Sequence, residues 1–445
     1  MEGRGERMEE SRIEKIIKEA LKEGADEVHI SYTESESYSV TINIGEISDV
    51  TWRHSRGLEL IVIKDKRLGI ATTNELTDES INNLIKRALS LAKSSPKNPW
   101  WEKLPEPKPY PVVSNVFDKR IKEMTPEEIM ELASMALNEV SSYDRRVALR
   151  SGVVNSSVFR RIISNSNGVY GEDEGTSISM ALVAVAREGD KVGSFVVGHR
   201  ESRIFNIDVS SLAKEISEKA LDSLNARSVK SFKGSLIMGY DVAASFFSAL
   251  INATCGDNVW KGRSPLSNKI GKVIASESLT IIDDGVKPGG YHTAKFDAEG
   301  SPRRKTIVIE GGVLKNFLHN TYTANILKAE PTGNATSLLT VGHTNLDIRP
   351  GDSTLEELIE SVKEGILVER FSGNMRFEDG LISGVAKQAY KIENGKIVYP
   401  VRECMIYGNI YQMARQISGL TKERRECYGI ITPIVRVDNV TIVGR

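Results

Sequence analysis

Twice in the first half of the chain, an apolar-striped helix is followed by runs of period-two alternation and then by a second helix. That order leaves few ways to bury the apolar faces. Residues 11–23 place Ile13, Ile16, Ile17, Ala20 and Leu21 on one side of a helix, and Gly24 supplies a stop. Alternation then marks strands at 28–33, 38–44, 47–53, 58–64 and 68–72, punctuated by Gly45 and Gly57, which reads as an antiparallel meander. Thr77, ahead of Asp78 and Glu79, is placed to cap a helix through Ile81, Leu84, Ile85, Ala88, Leu89 and Ala92.

The same order returns downstream. Thr125, Pro126 and Glu128 spell a capping box with proline at the first helical position. Strands follow at 147–154, 158–164, 177–187 and 191–199, with Asn167-Gly168 and Gly189-Asp190 as hairpin turns. Asp208 caps a closing helix through Leu212, Ile216, Ala220, Leu221 and Leu224. Element order matches between the two units and sequence does not, so this is an internal echo rather than a repeat. Between them, six of the 14 prolines fall in 96–111 beside Trp100, Trp101 and Tyr110, the composition of a stiff extended linker. The paired tryptophans either bind a partner or pin the linker to its own protein.

From Lys233 onward strands and tight turns dominate, with strands at 236–238, 279–282, 306–310, 313–318, 366–369, 386–392, 396–399 and 435–443. Helices are expected at 243–253, 355–364 and 410–417. Glu310-Gly311-Gly312 and Glu393-Asn394-Gly395 are hairpin signals. The expected fold class is α+β: N-terminal helix–antiparallel sheet–helix units, then a large, mainly antiparallel, β-rich C-terminal domain. The boundaries are an N-terminal domain at 1–95, a proline-rich linker at 96–117, a central domain at 118–228 and the C-terminal domain at 229–445.

Charge narrows the function. With 59 basic and 60 acidic residues the chain carries a formal −1, so no global field draws it to nucleic acid or an anionic membrane. The longest apolar run, 180–186, is far short of the ~20 residues that span a bilayer. Three cysteines, Cys255, Cys404 and Cys427, form no CxxC pair and point to a reducing compartment, the cytoplasm. The first eight residues read as a ragged leader without the apolar core of a signal peptide.

Candidate chemistry gathers in 241–334. The helix there holds no His or Glu, only Ser245, Ser248, Asn252, Thr254 and Cys255 as donors, and Ser and Asn are poor zinc ligands. The six histidines, His29, His54, His199, His292, His319 and His343, are too far apart in sequence for a local metal motif, which leaves only a site assembled from distant residues. Cys255 follows a helix rather than heading it, which raises a thiol pKa, and reads as structural. Asp283, Asp284, Asp297 and Glu299 flank Gly289-Gly290. They suit general acid–base work or a divalent cation, and equally suit the turns of Asp284-Gly285 and Glu299-Gly300.

The succession AASFFSALINATCGDNVWKGRSPL, LTIIDDG, FDAEG, TIVIEGGVLKNFLHNTYTA, PTGN, KIENGKIVYP and MIYGNI resembles the TldD/PmbA family of zinc peptidases, also called modulators of DNA gyrase. The resemblance runs over nearly all of 11–445. Its catalytic, TldD-like branch carries HExxxH on the helix after the first strand of the C-terminal domain, at positions that fall here near Phe247, Ser248 and Asn252. It also has a cysteine ligand in a late CGK-like loop, which Cys427-Tyr428-Gly429 does not match in spacing.

The resemblance therefore implies the TldE/PmbA-like branch: a metallopeptidase-like C-terminal domain with no catalytic or metal-ligating residue of its own. Zinc is expected in a TldD-like catalytic partner, in a heterodimer or larger complex that admits unfolded peptides to a chamber. A homodimer is possible for the chain alone, and no role for nucleic acid or membrane is expected. Ser248, Asn252, Ser264, Asp283, Asp284, Asp297, Glu299 and Gly300 are expected to line a substrate or partner surface. The alternative is a self-sufficient peptidase or hydrolase, active as a homo-oligomer through the acidic loops or Cys255. A DNA-binding module is a third reading.

Overall fold

The computed structural model describes residues 8–444. The leader reading concerns residues that, up to residue 7, lie outside the described ones; Met8 is buried in the first hydrophobic cluster. The chain opens with helix α1 (Glu10–Lys22), strands β1 (Glu27–Asn43), β2 (Glu46–Lys64) and β3 (Arg67–Thr73), and helix α2 (Asp78–Ser94). After the linker come α3 (Lys119–Lys122), α4 (Pro126–Tyr143), β4 (Val147–Asn165), β5 (Tyr170–Glu188), β6 (Lys191–Val192), β7 (Val196–Ser202) and α5 (Val209–Ser223). The caps are the expected ones: Thr77 accepts from the Ser80 amide, Thr125 and Glu128 form a reciprocal box, and Asp208 accepts from the Ser211 amide.

Fewer and longer strands form than the alternation suggests, because Gly57 does not break β2. It lies in register opposite Thr33, so two expected strands run on as one of 19 residues. β1 pairs with β4 from His29 opposite Asn165 to Asn43 opposite Ser151. The two N-terminal units thus share one antiparallel sheet, ordered β3-β2-β1-β4-β5 with β6 and β7 both on β5. One face of this sheet carries two apolar clusters. Val28, Ile30, Tyr32, Leu58, Leu60 and Val62 pack under α1 and α2, while Val40, Ile42, Val154, Met180 and Leu182 pack under α4 and α5. Period two puts all of these side chains on the same face.

The C-terminal half comprises β8 (Phe232–Met238), α6 (Tyr240–Asn252), α7 (Gly256–Trp260), β9 (Ile281–Asp284), β10 (Lys305–Glu310), β11 (Val313–Leu314), α8 (Thr321–Leu327), β12 (Ala335–Ser337), β13 (Thr340–Val341) and β14 (Leu346–Ile348). It continues with α9 (Leu355–Glu360), β15 (Glu364–Met375), β16 (Leu381–Glu393), β17 (Lys396–Val401), β18 (Cys404–Asn409), α10 (Ile410–Arg415), β19 (Ile417–Cys427) and β20 (Ile430–Val443). Its 11-stranded sheet is mainly antiparallel. β8 pairs with both β15 and β20, and β16 and β18 complete the path between those two, so five strands close into a ring. Closure removes strand edges. α6 packs against β15 and β20 with Phe246, Phe247 and Leu250 fully buried.

The linker is pinned down. Trp101 is 3 % exposed, stacks on Tyr322 and donates its indole N–H to Glu27 Oε2 at 2.7 Å. Trp100 meets Trp260 edge-on, with ring centroids 5.3 Å apart. The linker therefore ties the first sheet to the C-terminal domain. No helix among the described residues is long and apolar enough to cross a membrane.

Candidate functional site

α6 follows β8 directly, and most of its circumference is apolar core. Its remaining stripe is Ser245, Ser248 and Asn252, spaced three and four residues apart and hence on one face. Ser245 returns its hydroxyl to Asp241 O at 2.9 Å, and the Asn252 carbonyl accepts from Asn258 Nδ2 at 2.8 Å. Ser248 Oγ lies 2.9 Å from His343 Nε2, and both residues are half-buried. Nothing local in the sequence marks this pair, because its members are 95 residues apart.

The neighbouring acids hold loops. Asp283 accepts from Asn334 Nδ2 at 2.8 Å and from the Thr344 amide at 2.5 Å. Asp284 accepts from the Val286 amide at 3.2 Å, closing a turn on itself. Asp297 takes the amides of Glu299 and Ser301 on Oδ1, at 3.1 and 3.0 Å, and that of Ala335 on Oδ2 at 2.9 Å. Glu299 Oε1 accepts from the Thr321 amide, the Thr321 hydroxyl and the Ser301 hydroxyl, at 2.9, 2.6 and 2.8 Å. Gly300 adopts φ +88°, and a Cβ there would meet Val169 Cγ1 at 2.6 Å, so the turn needs glycine. Ser264 is also internal, donating to Ala253 O at 2.5 Å.

The expectation that these groups line a surface is corrected accordingly. Asp283, Asp284, Asp297, Glu299, Gly300 and Ser264 are all buried within this chain. Only Ser248 and Asn252 of that set stay half-exposed. The loop carrying Asp297 is wedged between the two halves of the protein. Phe296 packs on Tyr110 and under the Arg161 guanidinium, and Tyr110 donates to Gly300 O at 3.0 Å. From β1, the buried His29 bonds the Ala298 backbone, and burial lowers its pKa to about 4.

Burial pushes the Asp297 carboxyl up, and burial together with the Asp297 charge pushes Glu299 up further. A raised folded-state pKa means the folded chain holds the proton more tightly than the unfolded one. The pair's contribution to stability therefore grows as pH falls from above neutral toward the ordinary carboxyl range near ~4. Glu299→Gln keeps an acceptor oxygen for Thr321 and Ser301 while removing the titration. It is expected to reduce the change in urea midpoint between about pH 8 and pH 5.5, and an unchanged slope would contradict this assignment.

The donor set does not suit zinc. Phe247, Ser248 and Asn252, which stand where the resemblance places HExxxH, offer no imidazole or carboxylate. Among the described residues no three His, Cys, Asp or Glu side chains converge. Both nearby thiols are buried and held in the neutral form. Cys255 is 1 % exposed, and burial, then Asp257 and Asp283, push its pKa far up. Cys427 is raised in the same way by burial and by Asp241, to which it bonds.

The sequence profiles of the PmbA/TldA metallopeptidase domain 1, central domain and C-terminal domain match residues 28–92, 119–224 and 232–444. A metalloprotease of Methanocaldococcus jannaschii, MJ0996, is 30 % identical over 427 residues, covering 92 % of each chain. The crystal structure of TldE from Thermococcus kodakarensis superimposes with a TM-score of 0.91 at 29 % identity, covering 97 % of this chain and 100 % of that one. A Thermotoga maritima protein described as a modulator of a DNA gyrase gives 0.89 at 25 % identity, covering 98 % and 100 %.

Proposed function

The chain belongs to the PmbA/TldD metallopeptidase family, and we propose that within it this chain is a TldE/PmbA-like, non-catalytic subunit of a zinc metalloprotease complex that takes unfolded peptides into a chamber for proteolysis or maturation. The observation that carries the reading is the donor set of α6: the family frame is present from end to end, and the helix that would hold metal offers Phe247, Ser248 and Asn252. Zinc and water activation then belong to a TldD-like partner. Peptides of unrelated sequence can be held by main-chain hydrogen bonds to a sheet edge, which reads little of their side chains. Three buried, unbridged cysteines suit a cytoplasmic protein, and the formal charge of −1 gives no field for DNA. Co-expressed with a TldD-like companion, the tagged chain is expected to elute with it as one species. Separate elution at micromolar concentration would overturn the reading.

The Ser248–His343 contact favours one competing reading, a self-sufficient hydrolase. His343 Nδ1 lies 3.1 Å from Thr344 O, and with Nδ1 protonated, Nε2 is free to accept the Ser248 hydroxyl proton. That is the arrangement of a serine nucleophile and its general base. This reading expects peptide cleavage by the chain alone that survives chelation and disappears in Ser248→Ala. Inertness of the lone chain removes it.

A further inference from the structure

Between the β4–β5 face of the first sheet and the loop 291–294 lies a cavity of about 370 Å³ whose walls include Arg161, Arg203 and Arg303 but only one carboxylate, Asp173. The hydrogen bonds of the three guanidiniums go to main-chain carbonyls. Arg203 donates to Thr176 O, Tyr291 O, Thr293 O and Val116 O, at 2.6 to 3.3 Å. Arg303 donates to Phe296 O at 3.3 Å and His292 O at 2.7 Å. Arg161 donates to Phe296 O at 2.7 Å, and its buried Nε–H has no acceptor among the described residues. Carbonyls orient a guanidinium without cancelling its charge. Asp173, which also accepts the Lys295 amide at 3.1 Å, faces the cavity with them, while Asp297 acts on Arg161 and Arg303, and Asp283 on Arg303, from behind the wall, so the side open to the cavity carries three guanidiniums against one carboxylate.

Guanidiniums that face a partly buried cavity and bond only carbonyls gain from a counter-ion entering it. Burial, then repulsion from Arg303, lowers the Arg161 pKa to about 10, which still leaves it charged at neutral pH. The guanidiniums are held rigidly as well: Arg203 lies over the Phe159 ring at 5.2 Å and Arg161 over Phe296 at 4.6 Å. Fixed planar forks suit the paired oxygens of an oxyanion.

We propose that this cavity binds a small oxyanion, supplied by the C-terminal carboxylate of a peptide or by free phosphate. The peptide source rests on the peptide-handling reading above, whereas the anion site stands on the cavity alone. Arg303 holds the His292 carbonyl at 2.7 Å, His292 neighbours His343, and His343 bonds Ser248 on α6. A peptide anchored here by its terminus would extend beside that helix.

The test is calorimetric titration of the full chain with N-acetyl-trialanine as the free acid, with its C-terminal amide, and with inorganic phosphate. Binding of the free acid at least about tenfold tighter than the amide, with phosphate competing, supports the peptide source. Binding of phosphate with neither peptide binding supports the anion site and assigns it to phosphate. Absence of binding by both the free acid and phosphate overturns the proposal. Arg303→Gln is expected to weaken anion binding at least about tenfold. Because Arg303 also braces Phe296 and His292, a second variant, Ala294→Glu, brings a carboxylate to the cavity wall with all three arginines intact, and it is expected to cause the same loss. Retained co-elution of Ala294→Glu with the TldD-like companion separates failure of the anion site from failure of the subunit reading. Unchanged anion affinity in both variants would overturn the assignment to this cavity.

Discussion

Asp297→Ala is expected to lower the folding free energy by about 3–5 kcal/mol, because it strands three buried amide donors at once. Those donors are the amides of Glu299, Ser301 and Ala335, all three buried residues. Each orphaned donor costs about 1–3 kcal/mol. The sum is held toward its lower end because the mutation also removes a carboxylate whose ionisation burial opposes. Asp297→Asn retains one acceptor oxygen and is expected to lose roughly half as much. The measurement is the urea midpoint followed by tryptophan fluorescence, since Trp100 and Trp260 meet across the two halves that this loop joins. A midpoint for the alanine variant equal to that of the parent would show that the loop is not held by this carboxylate.

The second large effect is expected at Glu215, where one carboxylate serves three cations. Its oxygens accept from Arg200 at 2.6 Å, Lys219 at 2.9 Å and Arg425 at 3.1 Å, and Lys219 passes on to Glu369 at 3.1 Å. This network joins α5 to β19 and β15, and hence the central unit to the C-terminal domain. Burial alone raises the Glu215 carboxyl, but Lys219, Arg425 and Arg200 more than offset it and hold the pKa at about 2. A depressed carboxylate contributes stability above its unfolded pKa, near ~4.3, and loses that contribution as pH falls toward the folded value. The side chain is 22 % exposed, so solvent screens part of the interaction. Glu215→Ala, which leaves Arg200 and Arg425 without this carboxylate and Lys219 with Glu369 alone, is expected to cost about 2–4 kcal/mol at neutral pH. It should also flatten acid destabilisation between about pH 4.5 and 2.5, the opposite sign to Glu299→Gln. Parent-like acid sensitivity in the alanine variant would contradict the assignment.

The helices were legible because stripe and cap coincide locally: Thr125, Pro126 and Glu128 say where α4 starts, and its apolar positions say which way it faces. The hairpin turns were equally local. Strand length was not, since a glycine such as Gly57 is a turn signal in sequence and yet sits here in register opposite Thr33. Ring closure by β8 and β20 joins segments about two hundred residues apart, and no period announces such a pairing. The candidate site divides in the same way. Asp284-Gly285 and Glu299-Gly300 could be read as turns, but the donors that bury Asp297 and Glu299 come from Ala335 and Thr321, on other elements. Ser248 with His343, and Arg161 with Arg203 and Arg303, are brought together by the tertiary fold alone. The absence of His and Glu from α6, by contrast, is a property of the sequence itself.

That absence carries the functional account, and zinc content with peptide cleavage tests it most directly. The chain, its TldD-like companion and the mixture are each assayed for bound zinc and for chelator-sensitive hydrolysis of an unfolded peptide. The account predicts a lone chain without stoichiometric zinc and without cleavage, and a mixture that cleaves until zinc is removed. Stoichiometric zinc and chelator-sensitive cleavage in the isolated chain would contradict it.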